Sequence, residues 1–320
     1  MPTPLSPGHN CAQRIFALTE RTAIIGAGLM GHGIAVRLAL AGRLVAVHDP
    51  ESSKLASLVA RVRATMASID ADPSAADRVR ACADLSEAVG DAEFIFEAGP
   101  ERLEVKQRIF ESLDRLTPAG AVLASNTSAI PIGDIGARVR DRARVVGSHF
   151  WNPPYAVRLV EVVQAEATSL ATVERTIALL RDCRMLPVHV RRDVPGFIGN
   201  RLQHALKREA IALVADGVCD AETLDLVVRE GFGARLAVLG PLEQADMIGL
   251  NLTLDIHRVL MPHLDRTPVP HPLLEARVSA GETGMAVGKG FRAWTPEEAE
   301  AVRERFRHFV AAQGKAAARR

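Results

Sequence analysis

Between residues 21 and 192, short apolar runs alternate with stretches of helical spacing. "RTAIIGAG" is an apolar run that ends in glycines, "LMGHGIAVRLALAG" continues with helical spacing, and "RLVAVHDP" is a second apolar run stopped by Asp-Pro. A strand, helix and strand in this order must pair in parallel through a right-handed crossover. Residues 51–90 read as helical, with a break near "DADPSAAD". The runs "EFIFEA", "AVLASNT", "RVVGSHFW", "RLVEVVQ" and "LPVHVRR" supply further strands, with helical patterns such as "PERLEVKQRIFESLD" and "SLATVERTIALLRDC" between them. This alternation predicts an α/β fold, a Rossmann-type doubly wound and mostly parallel sheet over residues 20–194. From Gly196 onward the strand signal fades and helical patterns dominate, so residues 195–320 are expected to form an all-helical domain. Long helices of that kind invite dimer packing.

Composition narrows the class. The 320 residues, 48% hydrophobic and 24% charged, suit a two-domain globular protein. A net charge of +1 and the lack of a basic stripe with interleaved aromatics argue against nucleic acid as a partner. The four cysteines are scattered, with no CxxC pair, which points to neither a disulfide framework nor a metal site. No apolar run of membrane-spanning length occurs, and the Pro-rich residues 1–19 lack the pattern of a secretory signal. They are expected to be a disordered extension, and the protein is expected to be cytoplasmic.

"GAGLMG" places glycines at 26, 28 and 31, around Leu29 and Met30. The spacing alone is weak, but here it follows a strand, opens a helix, and precedes an aspartate, Asp49, at the end of the next strand (49 − 26 = 23 residues on). In a dinucleotide site Gly26 permits the tight turn, Gly28 lets the backbone approach the pyrophosphate, and Gly31 lets helix and strand pack. The phosphates then sit on a helix N-terminus. Asp49 would accept from the ribose hydroxyls and repel a 2′-phosphate, so NAD is the expected cofactor.

Oxidation of an alcohol on such a fold needs a base at the carboxyl ends of the strands. His149 closes the run "RVVGSH", and Asn126 and Ser128 close "AVLASNTS" in the same way. Glu161 stands inside "RLVEVV", where a carboxylate is costly unless paired. His149, twelve residues earlier, is its natural partner across a turn. A carboxylate on one ring nitrogen fixes the tautomer and leaves the other nitrogen to take a proton.

The motifs "GAGLMGHGIA", "SNTSAIPI", "GSHFWNPPYAVRLVEVV", "DVPGFIGNRL" and "GKGF", in this order, resemble the L-3-hydroxyacyl-CoA dehydrogenase superfamily. The resemblance implies that His149 is the general base and Glu161 its orienting partner. It implies too that Ser128 and Asn200 bind the substrate oxygen, and that Ala98, Glu101, Lys106 and Asn152 lie along the nicotinamide half of NAD. A homodimer through the helical domain follows from the same resemblance.

Three departures bear on the substrate. The span from Asp49 to Glu97 looks too short for the helical hairpin that grips CoA, and it is poor in lysine. "GFGARLAVLGPLEQADMIGL" is longer than the matching region of the CoA enzymes and looks like that of relatives acting on free polar acids. Ala286-Val287 precede "GKGF" where the family commonly has a lysine. The expected substrate is therefore a short or free 3-hydroxy acid, oxidised reversibly to the 3-oxo acid. The alternatives are a short-chain 3-hydroxyacyl-CoA, a pyridine-carboxaldehyde of the vitamin B6 breakdown type, and a non-catalytic NAD-binding structural role. Arg235 is a candidate partner for a substrate carboxylate, and Trp151 and Tyr155 are candidate pocket walls.

Overall fold

The structure, a computed structural model, describes residues 21–319. The extension expected at residues 1–19 lies outside the described residues. The described residues up to Asn200, together with those from Phe306 onward, form one compact unit, and Arg201–Arg305 form a second.

The first unit is built on eight strands: β1 (Thr22–Ile25), β2 (Val45–His48), β3 (Val79–Cys82), β4 (Phe94–Glu97), β5 (Val122–Ser125), β6 (Val145–Phe150), β7 (Leu159–Val163) and β8 (Leu186–Val190). Their order in the sheet is β3-β2-β1-β4-β5-β6-β7-β8, and every neighbouring pair is parallel except β6 with β7. The chain reverses direction across the sheet between β1 and β4, where dinucleotides bind in such folds. Strands β1, β4, β5 and β6 are buried along their whole length. That is why they read in the sequence as continuous apolar runs rather than alternating ones.

The helices of this unit are α1 (Leu29–Leu40), α2 (Ser52–Ser68), α3 (Leu85–Val89), α4 (Leu103–Leu116), α5 (Ile132–Ile135) and α6 (Leu170–Asp182). Two buried apolar clusters result: one contains Ile34, Leu38, Leu58, Phe96 and Val160, the other Ile95, Phe110, Leu123 and Ile135. Segment 51–90, expected to be helical with a break near "DADPSAAD", holds a 3₁₀ turn over Pro73–Arg78 at that break and also the strand β3, which was not expected. β3 was illegible because it is an edge strand of four residues whose middle two, Arg80 and Ala81, are exposed. Apolar periodicity cannot register over so short a stretch.

The helices that follow are α7 (Gly199–Ala215), α8 (Ala221–Glu230), α9 (Phe232–Arg235), α10 (Pro241–Ile248), α11 (Leu250–Leu260), α12 (Pro272–Ser279) and α13 (Pro296–Arg319). None of α7 to α12 holds a buried residue, and Leu242, Met247, Leu250 and Val259 stand open to solvent. "GKGF" forms a tight loop in which Lys289 makes backbone bridges to Gly284 and Ala293 and pairs with Glu282. The C-terminal part of α13 belongs to the first unit. There Gly314 lies so close to Ile69 that a Cβ would come within 2.6 Å of its Cγ2, and Lys315 pairs with Asp70 at 3.1 Å. The small residue lets the helix seat at that distance.

Candidate active site

The glycine turn between β1 and α1 has the shape a dinucleotide needs. Gly26 has φ 109° and packs on the carbonyl of Ala98, where a Cβ would approach to 2.6 Å. At Gly31 a Cβ would overlap the carbonyl of Gly26, whereas at Gly28 it would meet nothing within 4 Å. Gly26 and Gly31 are thus closed by the protein itself, and Gly28 opens toward the space where a pyrophosphate would lie, at the N-terminus of α1. Leu29 is exposed and Met30 half-buried beside it.

Asp49 closes β2. Its Oδ2 accepts from the Ala27 amide at 2.8 Å and its Oδ1 from the Glu51 amide at 2.9 Å. The carboxylate is thereby fixed beside the turn, with lone pairs left for ribose hydroxyls. Arg61 of α2, not foreseen in the sequence, donates to the Ala27 carbonyl at 2.8 Å and steadies the turn from the other side. These residues fit NAD.

The second constellation lies on β6 and β7. His149 and Glu161 are register partners, and His149 Nδ1 lies 2.7 Å from Glu161 Oε2. Both are buried. The Glu161 carboxyl sits below its ordinary range: burial pushes it up, but His149 and then the amides of Gly199 and Ile198 outweigh that. The pair therefore holds an ionised carboxylate against one ring nitrogen of His149.

Around the end of β5 the structure builds a network that the sequence did not reveal. Glu97, fully buried at the end of β4, accepts from Lys106 at 2.9 and 3.0 Å, from Ser125 Oγ at 2.7 Å and from the Gly99 amide at 2.7 Å. Lys106 is buried as well and also pairs with Glu101 at 3.4 Å. Glu101 in turn accepts from Thr127 Oγ1 at 2.6 Å and from the amides of Ser128 and Ala129. Its carboxyl lies below the ordinary range; burial opposes this, and the bonds to Thr127 and Ser128 and the charge of Lys106 bring it about. Lys106 thus acts behind Glu101, and Glu101 holds the loop that carries Ser128. A lone carboxylate in an apolar run, the signal that marked Glu161, was present in "FIFEA" too and would have found Glu97.

Asn200 Nδ2 donates to the Ser128 carbonyl at 2.7 Å, so the two expected substrate contacts touch each other. Asn126 is buried, and its Oδ1 accepts from the Phe150 amide at 2.8 Å, tying the end of β5 to β6 beside His149. Ala98 is half-buried on Gly26, and Asn152 is exposed in the turn after β6. Trp151 lies beside His149, ring centroids 5.5 Å apart. Tyr155 instead packs on α1, edge-on to His32 at 6.4 Å, and burial raises its phenol. Arg235 lies in the second unit on α9, exposed.

A dinucleotide cradle and a buried His–Glu pair, set on one mostly parallel sheet, define the class: an NAD-dependent dehydrogenase acting on CH–OH groups. Residues 21–194 match the family model for the 3-hydroxyacyl-CoA dehydrogenase NAD-binding domain, and residues 196–294 the model for its C-terminal domain. The chain belongs to the 3-hydroxyacyl-CoA dehydrogenase family. It is 37% identical over 302 residues to the 5-formyl-3-hydroxy-2-methylpyridine 4-carboxylate 5-dehydrogenase of Mesorhizobium japonicum, covering 92% of this chain and 97% of that one. A crystal structure of a dehydrogenase of that name, described as an NAD+-dependent dismutase, superposes with TM-score 0.85 at 34% identity, over 93% of this chain and 98% of the other. A probable 3-hydroxybutyryl-CoA dehydrogenase of Bacillus subtilis is 37% identical over 282 residues, 85% of this chain and 96% of the relative.

Proposed function

We propose that the substrate is a small free hydroxy acid, oxidised without a CoA carrier. The observation that carries this reading is the segment after β2. Helix α2 is followed by the short turn at Pro73–Arg78 and by β3, with no second long helix to complete a hairpin. The cations of α2 are engaged locally: Lys54 with Glu51 at 2.6 Å, Arg61 with the carbonyls of Ala27 and Lys54, and Arg63 with Asp77 at 2.5 Å. None is left as the core of a phosphate-binding groove for CoA.

In this reading residues 20–194 hold the cofactor through Gly26, Gly28, Gly31 and Asp49. NAD, when bound, supplies the hydride acceptor. His149, held at Nδ1 by Glu161, takes the hydroxyl proton at Nε2. Glu161 stays ionised and stabilises the imidazolium that forms. Ser128 and Asn200, braced on each other and by Glu101, orient the substrate oxygen.

The chemistry is tested by following NADH formation with 3-hydroxybutyrate, L-carnitine, L-gulonate and 3-hydroxybutyryl-CoA. A free acid is expected to have the highest kcat/KM; preference for the CoA ester would overturn the reading. A second reading, an aromatic hydroxy- or formyl-carboxylate, is favoured by the similarity to the pyridine-carboxylate enzyme and by Trp151 beside the base. Turnover of 5-formyl-3-hydroxy-2-methylpyridine 4-carboxylate above all four would establish it.

The open apolar residues of α10 and α11 support a homodimer through the helical region, since contiguous exposed apolar surface marks association sites. Light scattering is expected to give twice the chain mass. Among the described residues no helix is long and apolar enough to cross a membrane. The proposed location is cytoplasmic, a reading supported by Cys82, Cys183 and Cys219 as free thiols.

A further inference from the structure

Glu161 does not serve His149 alone. While Oε2 meets the imidazole, Oε1 accepts the backbone N–H groups of Ile198 and Gly199, each at 3.0 Å. Two consecutive residues in the left-handed region, Gly196 at φ 75° and Phe197 at φ 51°, turn the chain just before those two amides. Phe197 is buried, with its ring 5.8 Å from that of His149.

The remaining neighbour is Trp151. Its Cζ2 and Cη2 lie so close to Gly199 that any Cβ there would overlap the indole. On its other side the indole lies 5.5 Å from the His149 ring, tilted by 44°. The indole Nε1 is buried without a hydrogen-bond partner among the described residues. The contacts of the indole with Gly199 and His149 are packing contacts of its ring atoms. Trp151 thus touches the dyad's histidine and also the residue whose amide grips the dyad's carboxylate.

We propose that Trp151 is a positioning residue: seated on Gly199, it keeps the amides of Ile198 and Gly199 on Glu161 Oε1 and so fixes the hydrogen bond between Glu161 and His149. The proposal rests on His149 acting as the base. Removing the indole frees the turn at Gly196–Gly199 to relax. Glu161 then rotates away from its paired position, and His149 loses the partner that sets its tautomer. A tryptophan serving only as a substrate wall would raise KM and leave the dyad intact.

The test combines a substrate-free readout with kinetics on Trp151→Ala, Trp151→Phe and Glu161→Ala. In proton NMR of the whole protein, the Nδ1 proton of a histidine bonded to a carboxylate is displaced downfield; it is assigned to His149 by its loss in Glu161→Ala. Trp151→Ala is expected to broaden or abolish it, and Trp151→Phe, which keeps an aromatic ring on Gly199, to retain it. With whichever of the four substrates named above is turned over fastest, Trp151→Ala is expected to lower kcat about tenfold. In the Glu161→Ala background the same change is expected to cost less than twofold, because coupled residues are not additive. An undiminished resonance in a folded Trp151→Ala protein would overturn the proposal, as would a rise in KM alone or an equal loss in both backgrounds. If none of the four substrates named above is turned over, the functional reading fails while the NMR experiment still decides the positioning role.

Discussion

His149 and Glu161 face each other as register partners across the antiparallel pair β6–β7, with Nδ1 and Oε2 2.7 Å apart. Directly opposed residues on adjacent strands project to the same face, so strand pairing itself delivers the carboxylate to the ring. β7 runs against β6, the one antiparallel pair among the described strands of the sheet, so a single turn joins the two residues.

Replacing His149 with Ala is expected to lower kcat/KM about 10³-fold, the middle of the range for a lost general base. Glu161→Gln should cost about 10²-fold, since the ring remains but its tautomer is no longer enforced. NAD affinity, followed by protein fluorescence, is expected to be unchanged in both. Loss of NAD binding would show that the variants damage the fold rather than the base.

Asp49→Ala removes the acceptor from the end of β2 and also unties the amides of Ala27 and Glu51. Hydrogen bonds to charged groups contribute about 1.5–3 kcal/mol, so Kd for NAD should rise about 10–100-fold, as calorimetry can measure. Gly31→Ala, which drives a methyl into the carbonyl of Gly26, is expected to abolish binding outright.

The pair Lys106–Glu97 is almost sealed, at 1% and 0% side-chain exposure. Lys106→Met leaves the Glu97 carboxylate buried without its cation and is expected to cost about 3–5 kcal/mol of stability. The double change Lys106→Met/Glu97→Leu should cost less than the single one, because it removes the stranded charge. Chemical denaturation of the three proteins checks this ordering.

Asp114 of α4 holds Arg140 at 2.6 Å and the buried Arg144 at 2.8 Å. Burial opposes ionisation of Asp114, but these two guanidinium groups override it and hold the carboxyl below its ordinary range. A carboxyl depressed in the folded state contributes stability that is complete above its unfolded value of about 4 and is lost as pH falls through the folded value. Asp114→Asn is expected to lower stability at neutral pH and to flatten its fall below about pH 4. Melting temperatures measured across that range give the comparison.

Much of the first unit was legible because it obeys local rules. Buried parallel strands write themselves as apolar runs, and the glycine turn is marked by its spacing, with Gly31 closed locally by the carbonyl of Gly26. His149 and Glu161 were visible for a related reason: a polar group inside an apolar strand is costly, and its presence asks for a partner. The same logic applied to Glu97 went unread, although "FIFEA" carries it.

What the sequence by itself determined is the set of elements, the turn for the dinucleotide, and the residue types for acid–base work. Tertiary structure alone decided how they are held. The amides that grip Glu161 come from Ile198 and Gly199, some forty residues on (199 − 161 = 38). The loop bearing Ser128 is set by Glu101, from a different βα connection. Such contacts depend on backbone N–H groups, which every residue but proline carries, and so leave little mark in sequence. Trp151 stands between the two cases: its presence in the turn was plain, but that it lies on Gly199 is a matter of packing at a distance.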